Sequence, residues 1–122
     1  MKSYTDLEQS KRLAEILPLE SADMFYCYGM DIHTKKWDYD IVPTIIDISN
    51  QIDIGDIPCW SLAALLDALP EGVIENYYAP NLQKENGKYS IAYGNEELLC
   101  IADNPIDACY EMILKLKELN LL

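Results

Sequence analysis

Basic side chains are scarce in this sequence. Nine Lys and Arg stand against twenty-one Asp and Glu, a formal net charge of −12. A chain of that sign repels phosphate at long range, which argues against direct binding to DNA or RNA and against anionic membrane surfaces. Histidine occurs once, as His33, and phenylalanine once, as Phe25. The five glycines are isolated, so no Walker loop, GxGxxG or GxSxG occurs, and HExxH is absent as well. The longest apolar run lies within residues 62–69, far too short to span a membrane. The N-terminus turns polar and helical at once, so no signal peptide is expected.

Cysteine is sparse and scattered. Cys27, Cys59, Cys100 and Cys109 have no CxxC spacing, and each sits among apolar residues. Such thiols act as small buried hydrophobes. Neither a disulfide nor a zinc site is expected, no cofactor is called for, and neither EDTA nor a reducing agent should alter stability.

What is present suits one folded unit. Half of the 122 residues are hydrophobic, and a chain this long buries roughly two-thirds of its unfolded surface. Three helices are legible. Thr5-Asp6-Leu7-Glu8 reads as a capping box opening a helix over 5–17, which Pro18 ends. A second helix over 61–69 lies between Ser61 and Pro70; only Asp67 is polar within it, which predicts burial at the centre of the core. A third, over 105–118, has Asn104 as cap and Pro105 in its first turn. Strands are expected at 24–28, 36–42, 44–48, 73–78, 88–93 and 98–102, with a loop over 50–58. Glu85-Asn86-Gly87-Lys88 and Gly94-Asn95-Glu96 are turn signals. The two terminal leucines suggest that the end packs back. The expectation is a single α+β domain over residues 1–122, an antiparallel sheet with about three helices packed on one face.

Catalytic chemistry finds little to use. His33 sits in a polar turn, so any nucleophile–histidine pair would have to form there. Asp31, Asp38, Asp40, Asp47, Asp53 and Asp56 crowd one stretch. An EF-hand is excluded, because Asp47-Ile48-Ser49-Asn50-Gln51-Ile52-Asp53 has Ile where the turn glycine belongs and lacks the terminal Glu. A solvated acidic edge is the plainer reading. No catalytic, cofactor-binding or metal residue is assigned.

Tyrosine is the one excess, with nine copies. Alternation puts Tyr26 and Tyr28 on one strand face and Tyr89 and Tyr93 on another. Tyrosine supplies contact area at low entropy cost and tolerates water, so these four are the candidate partner-binding residues. Half-exposed sheets are also paved with tyrosine without any partner.

Three stretches carry a resemblance. They are Tyr4-Thr5-Asp6-Leu7-Glu8-Gln9-Ser10-Lys11-Arg12-Leu13-Ala14-Glu15-Ile16-Leu17-Pro18, then Ile57-Pro58-Cys59-Trp60-Ser61-Leu62-Ala63-Ala64-Leu65-Leu66, and Asp103-Asn104-Pro105-Ile106-Asp107-Ala108 with the leucine-rich segment after it. Together they resemble a family of small uncharacterised proteins from phages and integrated mobile elements of gut anaerobic bacteria. The resemblance implies a bacterial cytoplasm and carries over no catalytic residue. The leading expectation is therefore a non-enzymatic protein-binding accessory factor that engages a basic host or phage protein. An acidic mimic of nucleic acid, a small carboxylate-dependent hydrolase and self-association through the same tyrosines are the alternatives.

Overall fold

The computed structural model describes residues 1–73, 79–94 and 98–122. The fold is α+β, and the described residues form three α-helices and three small antiparallel sheets where one continuous sheet was expected. The chain divides into two compact units, Thr5–Ser61 and a second made of Met1–Tyr4 with Leu62–Leu122.

In the unit Thr5–Ser61, helix α1 (Leu7–Ala14) has Asp6 as its N-cap. The Asp6 carboxylate accepts the Gln9 N–H at 2.8 Å, and Gln9 Oε1 accepts the Asp6 N–H at 3.1 Å. This capping box lies one residue later than the sequence suggests, because the Thr5 hydroxyl is drawn inward, where it accepts the Trp60 N–H. The helix turns its Ser10–Leu13 side inward and packs on β5 (Ile57–Cys59). Strand β1 (Met24–Tyr26) is central, between β4 (Thr44–Ile45) and β5, with Phe25 opposite both Thr44 and Pro58. Strand β5 is missing from the sequence reading, which placed a loop there. Its proline is tolerated because β5 is an edge strand, where one N–H fewer breaks no central ladder. The expected strand over 24–28 breaks at Cys27. Beyond it, β2 (Tyr28–Met30) pairs with β3 (Trp37–Tyr39) in a separate two-stranded hairpin.

In the other unit, β6 (Asn81–Glu85), β7 (Lys88–Tyr93) and β8 (Leu98–Ala102) form an antiparallel meander. The last two strands fall where the sequence placed them. Asn86 and Gly87 join β6 to β7 with φ of 52° and 75°. That pair of positive φ values is the turn whose twist matches a hairpin, and Asn-Gly is its usual sequence. The expected strand over 73–78 falls largely outside the described residues. Helix α3 (Pro105–Glu118) covers β7 and β8, and α2 (Leu62–Ala68) packs on α3. Asn104 accepts the Asp107 N–H at 2.9 Å, as its capping role requires. At the other end Asn120 takes φ of 57°, and the Leu121 N–H returns to Leu116 O at 2.8 Å, a Schellman closure. The two final leucines remain exposed.

The most buried helix of this unit is α3, with Ile106, Cys109, Met112, Ile113 and Leu116 fully buried. Helix α2 was expected at the centre of the core. Instead it buries Ala64 and Leu65 and exposes Ala63 and Asp67, so its lack of polar residues reflects small side chains at its surface. Leu65 is fully buried, and Leu66 is half-buried. Truncation of Leu65 to alanine should therefore cost about 2–5 kcal/mol, and truncation of Leu66 distinctly less. Urea unfolding of the two variants checks this; equal losses would contradict the placement of α2.

Candidate functional site

His33 is exposed, and its N–H is held by Asp31 Oδ1 at 2.8 Å. All four cysteines are free thiols. Burial pushes the Cys59 thiol up, and burial followed by the nearby charges of Asp56, Asp40 and Asp53 pushes up Cys27. Protonated thiols are poor nucleophiles and poor metal ligands. Among the described residues no three His, Cys, Asp or Glu side chains converge as a metal site would need.

The aspartate run has an architectural use. Asp31 Oδ1 accepts the N–H groups of His33 and Thr34, and Asp47 Oδ1 accepts those of Ser49 and Asn50. Asp53 takes the Ile54 N–H, and Asp56 takes those of Tyr28 and Asp53. Aspartate side chains bond backbone a residue or more ahead and so substitute for regular structure in turns. Most of these carboxylates thus hold loops with one oxygen and leave their charge at the surface.

The four candidate tyrosines separate. Tyr26 is buried, and its hydroxyl donates to Thr5 O at 2.8 Å. Tyr93 is fully buried, and its hydroxyl donates to Pro70 O at 2.7 Å. Both belong to the core in this structure and present no surface to a partner. Tyr26 and Tyr28 do not share a sheet face, because the strand leaves its sheet at Cys27. Tyr89 is half-buried, with Lys84 Nζ 5.7 Å from its ring centre. Tyr28 is exposed.

Around Tyr28 the β2–β3 hairpin assembles a group that sequence reasoning missed. Tyr28 lies opposite Tyr39, and Met30 opposite Trp37. Asp31 N–H bonds Lys36 O, and Asp40 N–H bonds Cys27 O, each at 2.9 Å. These bonds fix the alternation of the ladder and leave both couples as non-hydrogen-bonded pairs, whose side chains stand closest. Tyr28 meets Tyr39 with ring centres 4.8 Å apart and Trp37 with ring centres 5.8 Å apart, both tilted. Such aromatic pairs are worth about 0.5–1.5 kcal/mol beyond burial. Trp37 is nevertheless 62% exposed and Met30 55% exposed. The signal was available: Tyr28 and Met30 flank Gly29, and Trp37 and Tyr39 flank Asp38, so period 2 puts all four on one face.

The opposite face of the hairpin carries Gly29, Asp31, Asp38 and Asp40. Nothing lies within 4 Å of where a Cβ on Gly29 would sit. An open hollow of about 600 Å³ beside the hairpin is lined by Asp31, Asp38 and Asp40, by Met30 and Tyr39 of the aromatic face, and by Ile41 and Val42. The two faces thus differ in chemistry: aromatic rings on one, carboxylates on the other.

Comparison with known proteins adds nothing to this picture: no family model matches the chain, and no curated protein or solved structure matches it. No described helix is long and apolar enough to cross a membrane.

The buried hydroxyl and thiol in the meander unit give a titration test. Burial, with Cys100 beside it, pushes Cys109 from 9.0 up to about 12. Burial, followed by Cys109 and Glu71, pushes Tyr93 from 10.0 up to about 12. The folded chain keeps both protons to higher pH than the unfolded chain does. Their contribution to stability is therefore complete below 9.0 and is lost as pH rises towards about 12. The double variant C109A/Y93F should show a shallower alkaline loss of stability than the parent across that window, read by urea midpoints. Parallel profiles would contradict the burial of these two groups.

Proposed function

We propose that this chain is a non-enzymatic protein-binding accessory module. The partner is a basic protein, and the contact is the aromatic face of the β2–β3 hairpin. One observation carries the reading: Tyr28, Met30, Trp37 and Tyr39 share one face of the hairpin, with the Tyr28 ring tilted against those of Trp37 and Tyr39 and with Tyr28, Met30 and Trp37 exposed. A group of this size on one face costs solubility and is the chemistry of interface anchors, where Trp and Tyr dominate the binding energy. The surrounding Asp31, Asp38, Asp40 and Asp56 and the net charge of −12 select a partner of opposite sign and speed encounter at low salt. Lys11 Nζ stands 5.3 Å from the Tyr39 ring centre, within the chain itself, so this aromatic group already draws one cation.

The resemblance of the helical stretches to phage and mobile-element proteins supports a bacterial cytoplasmic setting and a host or phage protein as the partner. A nucleic-acid mimic would depend on the carboxylates alone, with the rings idle. A carboxylate hydrolase would need convergent acids in an enclosed pocket, and the hollow beside the hairpin is open.

Retention of bacterial proteins on the immobilised chain tests the proposal. Basic proteins should be retained, retention should fall as salt rises, and Trp37→Ala or Tyr28→Ala should weaken it by roughly 2 kcal/mol or more, the scale of an interface anchor. Undiminished retention by both variants would refute the aromatic contact. If both aromatic variants kept full retention while replacing Asp38 and Asp40 with asparagine abolished it, the mimic would take its place.

A further inference from the structure

The β2–β3 hairpin has two edges, and a loop stands beside one of them. Residues 28, 30, 37 and 39 are the non-hydrogen-bonded positions of the ladder, so their N–H and C=O groups point away from the partner strand. On the β2 edge, the Tyr28 N–H is taken by Asp56 Oδ1 at 3.0 Å, and Gly55 approaches the Tyr28 ring to within 3.8 Å of where its Cβ would be. The loop that holds both residues thus stands beside this edge, where among the described residues the Met30 N–H and the carbonyls of Tyr28 and Met30 have no hydrogen-bond partner. On the β3 edge, the Tyr39 N–H turns to the neighbouring Asp38 carboxylate at 2.8 Å. Among the described residues the Trp37 N–H and the carbonyls of Trp37 and Tyr39 have no hydrogen-bond partner. Natural edges of this kind are blocked by proline, by lysine and other charges, by a bulge or by shortness. Trp37-Asp38-Tyr39 has no proline, lysine or bulge, but it is three residues long and carries one charge, Asp38.

We infer that an extended, basic segment of a partner protein adds to this hairpin as a third strand along β3. The inference rests on the protein-binding reading above and specifies its mode. A strand laid beside β3 places alternate side chains on the two faces of the hairpin. Those on one face meet Trp37 and Tyr39, where aliphatic groups or a cation over the indole fit. Those on the other face meet Asp38 and Asp40, where lysine or arginine is required. The recognised chemistry is therefore a strand of alternating apolar and basic residues. A second copy of this chain is a poor occupant, because edge-to-edge pairing would bring Asp38 and Asp40 against their own counterparts at a net charge of −12 on each chain.

The test uses the whole chain and a short synthetic peptide of alternating lysine and valine. Trp37 reports binding by fluorescence, since Trp60 is fully buried. Two further peptides carry N-methyl groups, one on the residues whose N–H faces β3 and one on the residues whose N–H faces away. The unmodified peptide should bind and shift the backbone amide signals of residues 37–39. Methylation of the facing set should weaken binding about tenfold or more, as expected for losing its ladder bonds, and methylation of the other set should leave it nearly unchanged. Equal binding of all three peptides would overturn strand addition while leaving the aromatic contact standing. No binding of the unmodified peptide would also overturn strand addition, and retention of basic proteins would then decide the broader reading separately. Concentration-dependent self-association that shifts the same amides would show that the edge belongs to a second copy, and would overturn the inference as well.

Discussion

Thr5 holds the unit that carries the hairpin. Its N–H donates to Trp60 O at 3.0 Å, its hydroxyl accepts the Trp60 N–H at 3.1 Å, and its carbonyl accepts the Tyr26 hydroxyl at 2.8 Å. The same hydroxyl shares a hydrogen bond of 2.8 Å with Ser10 and lies 3.5 Å from the Cys59 sulfur. Thr5, Ser10 and Cys59 are fully buried. One residue thereby ties the first turn of α1 to the segment following β5 and to the last residue of β1. Buried polar groups that are all satisfied specify a single arrangement, whereas one orphan among them costs roughly 1–3 kcal/mol.

The hub has consequences for the surface. Fixing Tyr26 through its hydroxyl ends β1 with its side chain inside, and the chain then leaves the three-stranded sheet at Cys27. Beyond it, Tyr28 and Met30 on one strand face Trp37 and Tyr39 on the other, with Gly55 beside Tyr28 and Lys11 over Tyr39. The exposed aromatic cluster lies where the chain has left that sheet, and the adjoining aspartates fix its loops.

Helices were legible because their signals are local. Asn104-Pro105 with Asp107 marks the start of α3, and Pro18 and Pro70 follow the ends of the first two helices. Asn86-Gly87 marks a turn by the backbone conformation it favours. Other features depended on distant partners. Thr5 looked like a helix cap because its true bonds run to residues 26 and 60, which spacing cannot show. Ile57-Pro58-Cys59 looked like a loop because proline is admissible in a strand only at an edge, and edges are a property of the assembled sheet. Tyr26 and Tyr28 looked like one face because period 2 assumes an unbroken strand. The exposed aromatic group was half legible: Tyr28 stood out by residue type, while Trp37 and Tyr39 gained meaning only once β3 was placed opposite β2.

The central claim is that the hairpin rings serve a surface while Thr5 serves the fold. Equilibrium unfolding of Trp37→Ala, measured beside Thr5→Val, separates the two roles. Valine keeps the shape of Thr5 and leaves the buried Trp60 N–H without its acceptor, so Thr5→Val should cost roughly 1–3 kcal/mol. Trp37→Ala should cost less than about 1 kcal/mol, since it loses one exposed ring contact and no core. A loss for Trp37→Ala equal to or greater than that for Thr5→Val would contradict the account, because the rings would then belong to the core.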